Sequence, residues 1–133
     1  MERQPVKLLL DTHALLWWLA DDARLSQRAR TAIADPDRTV YSSSASAWEI
    51  ATKHRIGRLP EAGELLADFS GILLRAGIEE LPITSKHAVL AGTLAGAHRD
   101  PFDRMLAAQA LCESLEVVTT DEAIGVLGAR CLW

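Results

Sequence analysis

The chain has 133 residues, of which 49% are hydrophobic and 24% charged, and its formal net charge at pH 7 is −4. This length predicts one domain spanning residues 1–133, and the composition excludes a disordered chain. The negative charge argues against broad nonspecific binding to nucleic acid. No apolar run approaches the ~20 residues of a membrane span, so we expect a cytoplasmic protein.

Strands and helices alternate in the predicted order of elements. From the N-terminus, the pattern predicts strand 7–11, helix 12–20, helix 26–34, strand 38–42, helix 45–53, helix 61–76, strand 79–83, helix 85–94, helix 101–112, strand 115–121, helix 122–127 and strand 128–133. Such alternation requires crossover connections between parallel strands. We therefore expect an α/β fold with a mainly parallel central sheet covered on both faces by helices.

Acidic residues follow two of the predicted strands. Asp11 ends the first apolar run, and Asp121 stands at the carboxyl end of the β-branched segment 115–121. In open parallel sheets the ligand crevice forms at these strand ends. Each acid is also well placed to cap the helix that follows it, and for Asp11 alone the two interpretations are equally supported.

A third acid, Glu49, lies in the helix that follows the second strand. Ser46 and Glu49 match a capping box, S-x-x-E, which is a purely structural interpretation. If the helix begins at Ser44 instead, Glu49 lies one turn in and faces back towards the strand ends. Both helix starts fit the spacing.

The fourth acid, Asp103, lies in the first turn of a helix that we expect to begin at Pro101 with Asp100 as its cap. This pair of acids has the spacing of an N-cap and its partner in many inert proteins. However, a parallel sheet brings strand ends and helix starts to one edge, so all four acids are expected to converge there. Crowded carboxylates repel one another, and a hard divalent cation with oxygen ligands, Mg²⁺ or Mn²⁺, relieves that repulsion.

Other chemistries lack their motifs. The chain has no G-x-S-x-G elbow and no H-E-x-x-H spacing, so neither a serine nucleophile nor zinc is expected. The two cysteines, Cys112 and Cys131, match neither a zinc motif nor a disulfide framework. A metal-bound water that attacks a phosphodiester needs no nucleophilic side chain.

Four segments resemble the successive motifs of PIN-domain proteins, and more narrowly of the VapC-type toxins of bacterial toxin-antitoxin pairs. They are LLLDTHALLW (8–17), SAWEI (46–50), DPFDRMLAAQA (100–110) and TTD (119–121). The resemblance implies a PIN fold with divalent-metal-dependent endoribonuclease activity on an RNA substrate. It also implies a homodimer that is silenced by a VapB-type antitoxin protein.

The resemblance also assigns roles to the acids. Asp11, Glu49, Asp103 and Asp121 match the catalytic quartet of the family. Asp11 and Asp103 would be the principal ligands of Mg²⁺ or Mn²⁺, with Asp121 binding directly or through water and Glu49 orienting a water or a second ion. Asp100 remains a secondary candidate.

Further polar and aromatic residues have two interpretations each. Thr12 and Thr120 are expected near phosphate or water at the site. The basic stretch from Lys53 to Arg58, with Arg99 and Arg104, is either a set of local charge partners or a contact with the RNA backbone. The tryptophans belong either to the core or to a dimer interface; they are Trp17, Trp18 and Trp48.

Two other functional classes compete with the nuclease. One is a non-catalytic PIN-like protein-interaction module, which the complete set of acids disfavours. The other is a receiver-like phosphoacceptor domain, which requires an adjacent acidic pair after the first strand, whereas Thr12 and His13 follow Asp11.

Overall fold

The structure is a computed structural model that describes residues 5–133. This part of the chain forms five strands and eight α helices. The strands are β1 (Leu8–Leu10), β2 (Val40–Ser43), β3 (Glu79–Leu81), β4 (Glu116–Val118) and β5 (Arg130–Leu132). The helices are α1 (Thr12–Leu19), α2 (Gln27–Ala34), α3 (Ser44–Arg55), α4 (Gly63–Ala67), α5 (Phe69–Arg75), α6 (Ser85–Thr93), α7 (Pro101–Glu113) and α8 (Glu122–Val126).

The five strands form one parallel sheet in the order β3-β2-β1-β4-β5. The chain adds β2 and β3 on one side of β1 and then crosses to the other side for β4 and β5. The winding therefore reverses between β1 and β4, where open parallel sheets usually bind their ligands. Leu10 pairs with Val118 at this point, so the residues that follow these two strands stand at the crevice.

Hydrophobic clusters cover both faces of the sheet, and β1 contributes to both. Leu8 and Leu10 belong to the cluster that includes residues of α1, α2 and α3, whereas Leu9 belongs to the cluster with α7 and α8. All three leucines are fully buried. Burial on both faces explains why β1 is an unbroken apolar run. Because each buried leucine contributes roughly 1.5–3 kcal/mol, this strand anchors both helical layers.

The predicted α/β class is confirmed, and every strand pairing among the described residues is parallel. The predicted last strand is also confirmed, as the edge strand β5. Of the predicted domain, residues 1–4 lie outside the described part. No helix within residues 5–133 combines the length and the apolar character needed to cross a membrane.

The single helix predicted over residues 61–76 is wrong. This region forms a short 3₁₀ turn and then two helices, α4 and α5, which are separated at Asp68. Asp68 has φ −148° and ψ 53°, and its carboxylate pairs with Arg75 at 3.1 Å. An aspartate side chain can hydrogen-bond to nearby backbone groups, and this bonding competes with the hydrogen bonds of the helix. Aspartate therefore favours such a local break. Leu73 in α5 is fully buried, whereas the adjacent Leu74 is 79% exposed.

Candidate metal centre

Asp11 follows β1 directly, and its N–H still bonds to the Val118 carbonyl of β4 at 3.1 Å. Its Oδ1 accepts the Ala14 N–H at 2.7 Å, which makes Asp11 the N-cap of α1. Burial raises the pKa of Asp11; hydrogen bonding from Thr119 and Ala14 opposes this rise, and the carboxylate of Glu49 adds to it. The structure thus holds a buried acid at the reversal point of the sheet.

The start of α3 decides between the two interpretations of Glu49. Ser43 is the N-cap, and its hydroxyl accepts the Ala45 N–H at 3.0 Å. The capping box between Ser46 and Glu49 is therefore wrong, and the start of the helix at Ser44 is confirmed. Glu49 is free of capping and turns towards α1.

Glu49 is buried, and protein donors satisfy both of its carboxylate oxygens. The Thr12 hydroxyl donates to Oε1 at 2.6 Å, and the Lys53 ammonium donates to Oε2 at 2.7 Å. The Ser46 hydroxyl lies 3.0 Å from the hydroxyl of Thr12. We call Asp11, Thr12, Ser46, Glu49 and Lys53 the Glu49 group. It contains two buried carboxylates and one ammonium.

Asp103 lies in the first turn of α7, as predicted. Asp100 caps this helix, because its Oδ1 accepts the N–H groups of Phe102 and Asp103 at 2.9 and 3.2 Å. The Oδ2 of Asp103 lies 2.9 Å from Nε2 of His98. Within residues 5–133, only His98, Asp103 and Asp121 form a group of three metal-binding side chains with one ligand atom each inside 4.8 Å of the others.

We call His98, Asp100, Asp103 and Asp121 the Asp103 group. The pKa of Asp103 is raised to about 6, chiefly by burial and further by the carboxylates of Asp100 and Asp121, while the hydrogen bond with His98 opposes the rise. Among the described residues, no lysine or arginine forms an ion pair with these three acids. The negative charge of this group is therefore not compensated by a permanently charged cation.

Arg104 does not pair with a local carboxylate, so that expectation is wrong. Its guanidinium instead donates to the carbonyls of Ala91 at 2.8 Å, Leu94 at 2.6 Å and His98 at 3.0 Å. These bonds tie the segment between α6 and α7 to the start of α7. Because Arg104 follows Asp103 directly, the backbone of His98 is held close to that carboxylate.

Capping and a functional role are compatible for the acids at the helix starts. Asp11, Asp100 and Asp121 each cap their helix through Oδ1 alone. The second oxygen of each carboxylate takes no part in the cap. The same residues can therefore stabilise a helix and face a ligand.

The two threonines that were expected near the site differ in exposure. The hydroxyl of Thr12 is directed to Glu49, whereas Thr120 is exposed.

The three tryptophans also differ in burial. Trp17 and Trp18 pack against the core, which confirms the core interpretation for these two. Trp48 is 62% exposed and contacts Phe102 edge to face, with the ring centroids 5.0 Å apart.

His98 was not predicted as a site residue. Lys53 was predicted only as part of the basic stretch, and its ion pair with Glu49 agrees with the interpretation as a local charge partner. The sequence signal for His98 was its place five residues before Asp103 in the H-R-D-P-F-D stretch. The signal for Lys53 was its i,i+4 spacing from Glu49 on one helix. Neither signal shows that the side chains meet, because this depends on how the loops and helices pack.

The donor set of the Asp103 group fits a hard divalent cation. It offers two carboxylates and an imidazole, and burial with like charge already disfavours the ionised form of Asp103. A divalent cation reverses this unfavourable potential. The Glu49 group has less need of one, since Lys53 balances Glu49.

A model of the PIN domain family matches residues 8–128 of the chain. This span contains the Glu49 group and the Asp103 group in full. No curated protein sequence matches the chain.

Solved structures share the fold. VapBC2 from Rickettsia felis, bound to a DNA fragment from its promoter, has a TM-score of 0.69 at 15% identity, and the match covers 94% of this chain and 96% of that one. FitAcB from Neisseria gonorrhoeae has a TM-score of 0.63 at 19% identity over 95% and 96% of the two chains. VapBC-5 from Mycobacterium tuberculosis, described as a member of the VapBC family of toxin-antitoxin systems, has a TM-score of 0.58 at 20% identity over 96% and 97%. At these identities the likeness concerns the fold, and the family match extends over nearly the whole sequence. The chain belongs to the PIN domain family.

Proposed function

We propose that this PIN domain is a divalent-metal-dependent endoribonuclease that acts as the toxin of a toxin-antitoxin pair. The observation that supports this most directly is the crowding of Asp103 and Asp121 at the reversal point of the sheet, without a lysine or arginine partner in the described part of the chain. Asp11 and Glu49 complete the acidic edge from β1 and α3. Crowded carboxylates without a lysine or arginine partner favour the binding of a cation over a purely structural role.

The roles of the residues follow from their environments. Mg²⁺ or Mn²⁺, if held by these carboxylates, would polarise a phosphate and lower the pKa of a coordinated water. Asp11, Asp103 and Asp121 would supply carboxylate oxygens to hold the ion. Asp11 keeps Oδ2 outside the helix cap, so this oxygen is available to the ion or to a coordinated water. Glu49, held by its two donors, would orient a water or a second ion.

Hydrolysis by water alone agrees with the surroundings of Cys131. Burial raises the pKa of its thiol, and the nearby carboxylates of Asp11, Glu116 and Asp121 raise it further. A thiol in this environment stays protonated and is a weak nucleophile. A covalent cysteine intermediate is therefore disfavoured.

An antitoxin partner, an RNA substrate and a homodimer are part of the same proposal. The partner is supported by the structural neighbours, which are described as VapBC and FitAcB complexes. Arg55 and Arg58 are exposed beyond the site and are available for an RNA backbone. Exposed Trp48 is available for an interface between copies.

The test is cleavage of total cellular RNA by purified protein freed of any antitoxin, with Mg²⁺ or Mn²⁺ and with a chelator control. We expect discrete cuts that the chelator abolishes and that Asp103→Asn reduces by about 10²-fold or more. Asp37→Asn is the matched control, because it removes the same charge from an exposed turn. Full activity in Asp103→Asn would overturn the assigned site. A folded wild-type protein that binds metal and cuts nothing would favour the non-catalytic interaction module.

A further inference from the structure

We propose that His98 supplies a nitrogen ligand to the cation, beside the carboxylates of Asp103 and Asp121, and that this ligand makes the centre favour Mn²⁺ over Mg²⁺. The inference rests on the proposed metal-dependent function. It adds a neutral imidazole to the ligands inferred from the sequence, which were carboxylates alone.

The distance between His98 and Asp103 fits shared coordination. Adjacent ligand atoms of an octahedral ion with bonds of about 2.1 Å lie about 3.0 Å apart. Nε2 of His98 lies 2.9 Å from Oδ2 of Asp103, and a ligand atom of Asp121 is within 4.8 Å of both. The two atoms can therefore occupy neighbouring positions on one ion with little movement. The imidazole then carries its proton on Nδ1, the other neutral tautomer.

The backbone holds His98 in this place independently of the side-chain contact. Arg104 donates to the carbonyl of His98 at 3.0 Å and to the carbonyl of Leu94 at 2.6 Å, at the start of the same segment. Gly96 between them has φ +125°, a conformation that side-chain-bearing residues rarely adopt. A loop built in this way presents the imidazole in a restricted position, as a metal ligand requires.

The choice of cation follows from ligand chemistry. Mg²⁺ prefers oxygen ligands and retains its waters. Mn²⁺ also favours carboxylate oxygen, but as the first ion of the transition-metal series it accepts an imidazole nitrogen more readily than Mg²⁺ does. Mn²⁺ therefore accepts both the carboxylate oxygens and the imidazole of this centre.

His13 is a suitable control histidine for testing this ligand. It follows Thr12 but is exposed, and it stacks on Trp17 with the ring centroids 5.5 Å apart.

The experiment is pulsed electron paramagnetic resonance of Mn²⁺ bound to the full chain, with histidines labelled with ¹⁵N. We expect a nitrogen coupling that persists in His13→Gln and disappears in His98→Gln. Calorimetric titration should show that wild-type protein binds Mn²⁺ roughly tenfold or more tightly than Mg²⁺. His98→Gln should weaken Mn²⁺ binding by about 10- to 100-fold and Mg²⁺ binding much less.

The outcomes separate this inference from the proposed function. If Asp103→Asn abolishes Mn²⁺ binding but wild-type protein shows no histidine coupling, His98 is not a ligand and the metal centre stands. If folded wild-type protein binds neither cation, both proposals are overturned. Should His98→Gln fail to fold, the coupling in wild-type protein and in His13→Gln still decides whether a histidine other than His13 binds the ion.

Discussion

The two groups of acids at the edge of the sheet differ in how their charge is balanced. In the Glu49 group, a hydroxyl and an ammonium satisfy both oxygens of Glu49 at 2.6 and 2.7 Å. In the Asp103 group, the nearest neighbours of Asp103 are an imidazole and two further carboxylates, and its pKa is raised to about 6. Glu49 is therefore compensated by Lys53, whereas Asp103 has no lysine or arginine partner among the described residues.

This difference suggests a division of labour within one site. A carboxylate that already has a lysine partner gains little from a second cation, whereas crowded carboxylates gain most from one. We therefore expect the Asp103 group to determine metal affinity and the Glu49 group to act on water and substrate. Four predictions test this comparison.

The largest expected effect is stabilisation by the cation. Mn²⁺ at 100 times its Kd should raise the free energy of unfolding of wild-type protein by about 2.7 kcal/mol. Asp103→Asn should lose this gain, whereas Glu49→Gln should keep most of it because Glu49 is compensated by Lys53. Urea unfolding with Mn²⁺ and with a chelator measures the difference. Equal losses in the two variants would contradict the division of labour.

The second prediction concerns the ion pair of the Glu49 group. Lys53→Met leaves a buried carboxylate without its cation, and because Lys53 is partly exposed we expect a loss of about 1 kcal/mol of stability. The loss should be much smaller when Glu49→Gln is already present. A double-mutant cycle by urea unfolding measures this coupling, and additive effects would show that the pair contributes nothing.

The third prediction separates the capping role of Asp100 from a role in the metal centre. Asp100→Ala removes the acceptor for two N–H groups of α7 and should cost about 1 kcal/mol. Asp100→Ser keeps a good cap, so the free energy of unfolding should stay close to that of wild-type protein. Its Kd for Mn²⁺ should stay within about twofold of the wild-type value. Thermal unfolding and calorimetry provide both readings. A strong loss of affinity in the serine variant would make Asp100 a ligand.

The fourth prediction concerns the pH dependence of the metal-free protein. The folded-state pKa of Asp103, about 6, lies above the ordinary value of 3.8, so the folded state binds this proton more tightly than the unfolded state. The contribution of this proton to stability is present below about pH 4 and is lost as the pH rises to about 6. Between these pH values the Tm of wild-type protein should fall relative to that of Asp103→Asn, whose side chain does not titrate. Parallel curves would show that Asp103 is not perturbed.

Local patterns in the sequence predicted most of the elements and the start of α7 correctly. The apolar run of β1, the proline at the first position of α7 and the acid that caps it depend on neighbouring residues only. The helix over 61–76 failed because its apolar spacing continued through Asp68, where the backbone leaves the helical region. Apolar spacing indicates which face of a helix is buried, but it does not show where the backbone leaves the helical conformation.

The sequence by itself determined the α/β alternation and the placing of acids after β1 and at the start of α7, because residue periodicity and helix capping are short-range effects. Only the tertiary structure decided which partners these acids have. Thr12 meets Glu49 across 37 positions of the chain. His98 contacts Asp103, and Arg104 holds the segment that leads from α6 to His98. Such contacts depend on the packing of helices against the sheet, and this is why the charge balance of the Glu49 group and of the Asp103 group could not be told from the sequence.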